Sequence, residues 1–561
     1  MASSSSTIPV LISGAGPTGL AAALVLLRNG IAVRVIDKLP AFNPGTRGPG
    51  LQPRTLELFH QAGAREIIET GQSMIPIRTY KPGTLEPEKD RLVHKPRAPS
   101  PHFPYGNIIL LGQNMTEHHL RAQIAKYEVY VELGTELRSF EQDANGVTVH
   151  LIKKQQGSEQ EVDETVRAQY LVGTDGARSA VRKLLGCTFL GETRDDTRLI
   201  TGDVRIVGEG LGRDYWHQFG DGIVKKGLFL RPCNSIAGAE NDGFQLMLGG
   251  SEIDISATVA GGREAIYALI QELVPTKLEF RELIWFGEFR PNIRMADKFG
   301  EGRVFIAGDA AHCHSPAGGQ GLNSSVQDAF NLAWKLSLVL KDLSPPSLLS
   351  TYTTERLPVI AEMLNLTTSL FNQTTAGDDR AFERSDRLLM LGVNYRTSPI
   401  VHDELSPPGK REPVPAYGEA NEALEDALVA GDRAPDAPGL VDGEGRAYRV
   451  FDILKVVRHT VLVFVPSFQQ AKGVVQAIKG RESWGDVVRP VVVLPAGASI
   501  DDASLEADGV LVLRDAEQFA YAGFRAKEGE SRVVIVRPDG YVGAVVRGVE
   551  GMERYFSGIF V

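Results

Sequence analysis

The chain is poor in several features, and each shortage excludes something. It has three cysteines in 561 residues, Cys187, Cys233 and Cys313. That leaves no room for a disulfide framework or for paired cysteine metal ligands. The longest apolar run, Leu20 to Leu27, is eight residues long, far short of the ~20 that cross a bilayer as a helix. Met1 to Thr7 hold neither a basic segment nor an apolar one, so no secretory leader is expected. Basic charge is not in excess: 60 Lys and Arg face 70 Asp and Glu, a net charge of −10. No basic stripe of the kind nucleic acid demands is present. His312 and His314 lie two residues apart without further ligands nearby, so no metal is expected. These shortages predict a cytoplasmic chain with no nucleic-acid partner and no membrane span.

What remains is ordinary globular composition, 43 % hydrophobic and 23 % charged, and enough length for three or four domains of roughly 150 residues. The N-terminus carries the first motif. A short β-branched run, Ile8 to Ile12, leads into Gly14-Ala15-Gly16-Pro17-Thr18-Gly19 and a helical stretch from Leu20 to Asn29. A second strand, Ala32 to Ile36, ends in Asp37 and Lys38. This strand–GxGxxG–helix–strand–acid order suits a dinucleotide. Gly14 makes the turn, Gly16 lets a pyrophosphate approach the backbone, and Gly19 lets helix and strand pack closely. Asp37 would accept hydrogen bonds from a ribose.

A second motif lies some 300 residues on. Val304 to Ala307 reads as a buried strand, followed by Gly308 and Asp309, a bend through Gly318, Gly319 and Gly321, and a helix from near Leu322 and Asn323. A carboxylate at a strand end, bare backbone and a helix N-terminus suit a ligand with hydroxyls and developing negative charge. Thr174-Asp175-Gly176-Ala177-Arg178-Ser179 repeats the logic at the end of the strand Tyr170 to Gly173. One dinucleotide fingerprint with a distant second glycine cluster favours a long cofactor held at both ends, FAD rather than NAD.

Between these motifs, Gly71 to Pro104 reads as a surface crossover or insertion. Val129 to Leu133, Leu137 to Gln142 and Val147 to Ile152 are expected strands. From Cys187 to about Trp285 the pattern is mainly β, with runs at Leu199 to Ile206, Gly222 to Leu230 and Gly243 to Leu248, interrupted by a helix at Gly262 to Leu273. A helix from Leu349 to Thr367 contains Pro358, which predicts a kink. In the tail, Val450 to Leu454, Thr460 to Val465, Val487 to Leu494, Gly509 to Leu513, Val533 to Val536 and Val542 to Val546 are expected strands.

Taken with Arg47, Arg54-Thr55-Leu56-Glu57, Gln113 and Gly308 through His312 and Pro316 to Asn323, these motifs resemble the class A flavoprotein aromatic hydroxylases. Within them the chain is similar to the phenol hydroxylase branch, which carries a thioredoxin-like C-terminal domain. The resemblance implies an α/β fold. A Rossmann-like FAD-binding domain (1–186 and 291–372) holds an inserted mainly β substrate domain (187–290, with contributions from about 71–110), a PHBH-like arrangement. A linker (373–432) leads to a thioredoxin-like α/β domain (433–561). That domain has no cysteine, so a structural or dimer-contact role is expected in place of dithiol exchange, and a homodimer is left open.

The resemblance also implies an activity. A monooxygenase with tightly bound FAD would consume NADPH or NADH and O2, and hydroxylate a phenolic or polyketide-like aromatic through a flavin C4a-hydroperoxide. Secondary metabolism is the expected setting. The implied FAD contacts are Gly14, Gly16, Gly19, Asp37, Lys38, Arg47, Gln113, Asp175, Gly176, Gly308, Asp309, Gly319, Gly321, Leu322 and Asn323. Pro316 would lie beside the reactive face of the ring. Tyr215 and His217 are the candidates for activating the substrate, and Trp285 for contacting it. Baeyer–Villiger oxidation or epoxidation with the same cofactor is one alternative. A non-catalytic flavin-binding sensor or scaffold is another. A flavin halogenase ranks low because no Trp-x-Trp-x-Ile-Pro element occurs.

Overall fold

A computed structural model describes residues 7–154, 161–195, 197–236, 238–239, 241–378, 384–406, 414–419, 428–500 and 510–561. The strand Ile8–Ser13 sits inside a parallel sheet, between Val33–Ile36 on one side and Glu161–Gly173 on the other, with Val304–Ile306 next in line. Val10 pairs with both Val33 and Tyr170, which fixes the register. The chain leaves this central strand in one direction and later returns on the other side. The strand ends at Gly14 and Thr174 therefore flank a topological switch point, where open α/β sheets bind ligands.

Two helices lie against this sheet. Pro17–Arg28 is almost wholly buried, as its run of Leu, Ala and Val requires. Gly321–Leu340 is buried on every side over most of its 20 residues. It packs between the N-terminal helix and the C-terminal third of the chain, which is why it carries apolar residues all round and why its polar residues are paired internally.

A second sheet of seven strands runs in the order Leu278–Phe289, Leu199–Gly208, Gly243–Gly249, Gly227–Pro232, Trp216–Gly220, Ile77–Tyr80 and Pro87–Arg91. The segment read as a surface insertion thus supplies its last two strands. One face is covered by Ile255–Ala260 and Gly262–Leu273 over a core of Ile200, Leu228, Leu230, Leu246, Ile266 and Ile270. The other face is turned to the first sheet.

The C-terminal third forms an eight-stranded mixed sheet, with His459–Phe464 parallel to Val488–Leu494 and antiparallel to Arg532–Val536. One face of it shares a continuous apolar core with the nucleotide sheet, through Val461, Val463 and Ile535. The opposite face has its own core around Leu462, Phe464, Val491 and Phe524.

Several local expectations need correction. Val450–Ile453 is a helical turn, not a strand; Asp436 accepts the Phe451 N–H at 2.9 Å, and a four-residue apolar run cannot by its pattern distinguish the two. Val129 to Leu133 makes only a single bridge, Glu132 to Ile36. The run from Gly222 divides, because Gly220 and Gly222 take φ of 70° and 79° and turn the chain. The strand proper is Gly227–Pro232, and its partner Trp216–Gly220 precedes the turn. Ser350–Thr375 continues as one helix through Pro358. Much of the stretch read as linker is packed: Leu388, Leu389, Met390, Leu391 and Tyr395 are buried, and His402–Asp403 joins the C-terminal sheet. Its segments 379–383, 407–413 and 420–427, and Gly509 of the expected tail strand, lie outside the described residues. Among the described residues no helix is long and apolar enough to cross a membrane.

Candidate active site

The ends of the parallel strands and the open face of the second sheet enclose a cavity of about 1110 Å³. Gly14, Gly16, Asp37, Lys38, Arg47, Gln113, Asp175, Gly176, Asp309, Pro316, Gly319, Gly321, Leu322 and Trp285 all line it. Residues from three distant stretches of sequence therefore meet around one space.

The glycines separate by cause. Gly14 has φ +109°, and a Cβ there would lie 2.3 Å from the Thr174 carbonyl oxygen. A Cβ on Gly19 would lie 2.0 Å from the Gly14 oxygen, so Gly19 serves helix–strand packing and stays outside the cavity lining. Gly16 differs: its φ is −72°, and an added Cβ would meet nothing within 4 Å. Nothing in the protein demands a glycine there. A Cβ would only fill space left at the N-terminus of the helix Pro17–Arg28, where a phosphate belongs. This is the observation that fits a dinucleotide to the site.

The carboxylates also separate. Asp37 accepts the Ala15 N–H at 2.9 Å and the Leu39 N–H at 2.9 Å, which ties the glycine loop to the second strand. Asp175 accepts the Ser179 hydroxyl at 2.5 Å and the Ala180 N–H at 2.7 Å, and so caps the following short helix. Asp309 is exposed to the cavity, and no hydrogen bond from a described residue reaches its carboxylate. It is the acid available to a ligand's hydroxyls.

Behind Asp309 the turn is held from within. Gly308, which does not line the cavity, donates its N–H to Asp328 Oδ2 at 3.0 Å. Asp328 also pairs with His312 at 2.7 Å and Arg356 at 2.7 Å. Burial would push the Asp328 carboxyl up, but Arg356 and His312 outweigh it and hold it below the usual range. Asn323 is likewise outside the lining. Its Oδ1 accepts the Gln52 N–H at 2.8 Å, and its Nδ2 donates to the Gly50 and Gly319 carbonyls at 2.8 and 2.7 Å. It positions the Gly318–Gly319 turn. Gly321 leaves room for His314, whose Nε2 would lie 1.9 Å from an added Cβ.

The opposite wall is set by strand parity. Residues paired directly across strands share a face. His217 pairs with Leu230, which belongs to the covered core. Tyr215 and His217 therefore do not face the cavity as expected, and neither lines it. The His217 Nδ1 meets the Tyr80 hydroxyl at 2.5 Å and its Nε2 meets the Gly212 carbonyl at 2.7 Å, so the ring is a neutral tautomer protonated at Nε2. Burial lowers its pKa, in agreement. Tyr215 lies under the Arg78 guanidinium, 3.3 Å from ring centroid to Cζ.

The cavity face carries Leu199 and Thr201, Trp216, Phe229 and Arg231, Gln245 and Met247, and Trp285 and Phe289. Trp285 donates its indole N–H to the buried Asp203. Asp203 also accepts the Thr46 N–H at 2.7 Å and its hydroxyl at 2.5 Å. Burial raises the Asp203 pKa despite these donors. Sequence reading missed Trp216, Phe229 and Arg231. The usable signal was Arg231, a lone charge in the otherwise apolar Gly227–Pro232, since a buried strand tolerates a charge only for a reason.

A switch-point glycine loop, a second helix N-terminus and an aromatic-faced sheet around one cavity define a flavin-binding oxidoreductase. The chain belongs to the FAD-binding domain family, whose model matches residues 7–367. A flavin-dependent monooxygenase of Mycobacteroides abscessus is 36 % identical over 464 residues, covering 81 % of this chain and 88 % of that protein. Pentachlorophenol 4-monooxygenase of Sphingobium chlorophenolicum is 30 % identical over 558 residues, covering 95 % of this chain and 93 % of that protein. The solved structure of the flavin-dependent monooxygenase PieE, in complex with FAD and substrate, superposes with a TM-score of 0.77 at 25 % identity, covering 99 % of this chain and 100 % of that one. The chain is thus an FAD-dependent monooxygenase of the aromatic hydroxylase group, and the PHBH-like fold expected for its first two sheets is the one it shares with these relatives.

Proposed function

We propose that this enzyme hydroxylates a phenolic or polyketide-like aromatic compound, using NAD(P)H and O2. The supporting observation is that a single cavity of about 1110 Å³ joins the glycine loop Gly14–Gly19 to a wall of Trp216, Phe229, Trp285 and Phe289. That volume exceeds the ~300 Å³ at the small end of ligand sites, so a cofactor ring and a multi-ring substrate can share it. The pentachlorophenol relative supports a phenol in its own printed name.

FAD, when bound, supplies the electron transfer from NAD(P)H and the delivery of one oxygen atom from O2. The chain's residues do the rest. Gly16 and the helix behind it would take the pyrophosphate, with Arg47, Lys38 and Gln113 alongside. Asp37 would take the adenosine ribose and Asp309 the ribityl hydroxyls. Asp175 and Gly176 would sit where FAD and NAD(P)H come together. The turn from Pro316 through Gly319 to Leu322 opens the helix Gly321–Leu340, whose N-terminus would stabilise negative charge by up to ~2 kcal/mol. Asn323 and Gly321 shape that turn, and Gly308 and Gly19 let the backbones behind it close up. Trp285 and its sheet neighbours exclude water and hold the aromatic substrate. Tyr215 and His217 serve the sheet that carries these groups. The C-terminal sheet, read as a thioredoxin-like unit without cysteines, braces the buried helix.

The test is purification and turnover. Yellow protein that retains FAD, NAD(P)H oxidation stimulated by at least one phenol or polyketide, and a product heavier by one oxygen atom would support the proposal. Protein that cannot be reconstituted with FAD, or NAD(P)H oxidation indifferent to every aromatic in a broad panel, would overturn it.

A further inference from the structure

Arg231 stands on the cavity face of the strand Gly227–Pro232 and is only 3 % exposed. A buried guanidinium normally sits against a carboxylate, because an uncompensated charge away from water is costly. Its neighbours in the same sheet obey this: Arg205 and Arg281 pair with Asp242, and Arg290 with Glu288. Among the described residues Arg231 has no ion pair. Its Nε and Nη2 both donate to Gln245 Oε1, at 3.1 and 2.8 Å. Gln245 is its direct cross-strand partner and is itself fixed by donating Nε2 to the Arg47 carbonyl at 2.5 Å.

A neutral amide orients the guanidinium fork without neutralising it, and Nη1 makes no hydrogen bond with a described residue. The nearby carboxylate of Asp203, cross-strand from Gln245, is committed to Thr46 and Trp285. Around Arg231 on this face stand Phe229, Met247 and Trp285. The glycines suited to phosphate belong to the other sheet.

We propose that Arg231 is a specificity-determining residue that receives an oxyanion of the aromatic substrate, a carboxylate or an ionised phenol, so that the enzyme selects acidic aromatics over neutral ones of the same shape. This rests on the reading of the cavity as the substrate space. A planar guanidinium suits such a group, and charge-assisted hydrogen bonds are the strong kind. An ionised phenol held there is also electron-rich, which favours oxygen transfer to its ring.

The experiment measures binding to the FAD-loaded full chain, without turnover, by titration calorimetry. Two matched pairs serve as probes: 3-hydroxy-2-naphthoate against its carboxamide, and pentachlorophenol against its methyl ether. The wild type should bind the ionised member of at least one pair about tenfold or more tightly than the neutral member. The pair that shows the preference tells carboxylate from phenolate. Arg231→Gln should abolish the preference while FAD content and affinity for the neutral member stay as in wild type. Arg231→Lys should retain part of it. Arg384→Gln, which removes another cavity arginine, should keep it. The proposal is overturned if the wild type shows no preference or binds none of the probes. It is also overturned if the preference survives in Arg231→Gln. Charge selection without hydroxylation of any aromatic would instead leave Arg231 assigned and remove the monooxygenase reading.

Discussion

Arg537 donates both ends of its guanidinium to Glu355, Nη1 to Oε1 at 2.7 Å and Nη2 to Oε2 at 2.9 Å, with both side chains fully buried. The pair joins the C-terminal sheet to the helix that backs the cavity. Glu355 also accepts from Lys335 and Asn331 at 2.8 and 2.7 Å, and Arg537 also reaches Asp539. Burial opposes ionisation of Glu355, but Arg537 and Lys335 hold its pKa well below the usual carboxylate range. The next residue, Arg356, holds Asp328, which holds the Gly308 turn. A second ion pair, Arg433 with Glu57 at 2.6 Å, repeats the weld elsewhere.

Removing Glu355 alone should therefore be severe. Glu355→Ala leaves Arg537 and Lys335 buried without their counter-charge, at a cost of about 3–5 kcal/mol. Replacing both members with Met should cost less than the sum of the single changes. Urea unfolding of the two single variants and the double variant checks this; strictly additive losses would count against a coupled pair.

Gly14 and Gly16 should respond in opposite ways to alanine. Gly16→Ala meets open space at an ordinary φ, so apoprotein stability should stay within about 1 kcal/mol of wild type while FAD affinity falls. Gly14→Ala forces a left-handed conformation against the Thr174 carbonyl and should destabilise the apoprotein by more than about 1 kcal/mol. Thermal melts and FAD titration of both variants separate the two causes.

Asp309→Ala should release FAD and leave the fold intact. The carboxylate accepts no hydrogen bond from the described residues, so its loss should change apoprotein stability by no more than about 0.5 kcal/mol. Flavin absorbance after gel filtration, set beside circular dichroism, checks this. Retained FAD with normal turnover would place the ribityl chain elsewhere.

His459 should make the protein acid-sensitive. It is fully buried between Trp334, Tyr555, Phe556 and Phe560, with both ring nitrogens unpaired. Burial, aided by the Arg537 charge, pushes its pKa from 6.5 down to about 3. The unfolded chain therefore binds a proton at a higher pH than the folded one does. The stability this difference contributes is complete above pH 6.5 and is lost as pH falls from there toward about 3. The slope from this one group approaches about 1.4 kcal/mol per pH unit. Chemical unfolding of wild type and His459→Phe at pH 7 and pH 4.5 isolates it; equal losses in both proteins would assign the acid sensitivity to other groups.

The cofactor half of the site was legible because its signals are local. Turn, helix start and strand-end acid lie within 24 residues from Gly14 to Asp37, and backbone geometry dictates their types. The substrate half was not. Tyr215 and His217 lie on either side of Trp216, the residue that does face the cavity. Alternation along a strand can be read from sequence, but which parity faces which side depends on the helices that cover the other face. Arg54 and Glu57 illustrate the same limit. Arg54 resembled a phosphate ligand, yet it donates to the Asp539 carbonyl at 2.7 Å and Glu57 binds Arg433. Both are docking residues for a segment far along the chain.

By itself, the order of residues determined the dinucleotide fingerprint, the α/β character, the exclusion of disulfide chemistry and the family resemblance, because these rest on contiguous spacing and composition. Only the tertiary structure decided which sheet face meets the cofactor space, that Asn323 and Gly308 position the turn instead of lining the cavity, and that Arg231 is a charge without a carboxylate partner. The physical reason is common to all three. Facing, burial and charge compensation are properties of neighbours in space, and here those neighbours lie tens to hundreds of residues apart.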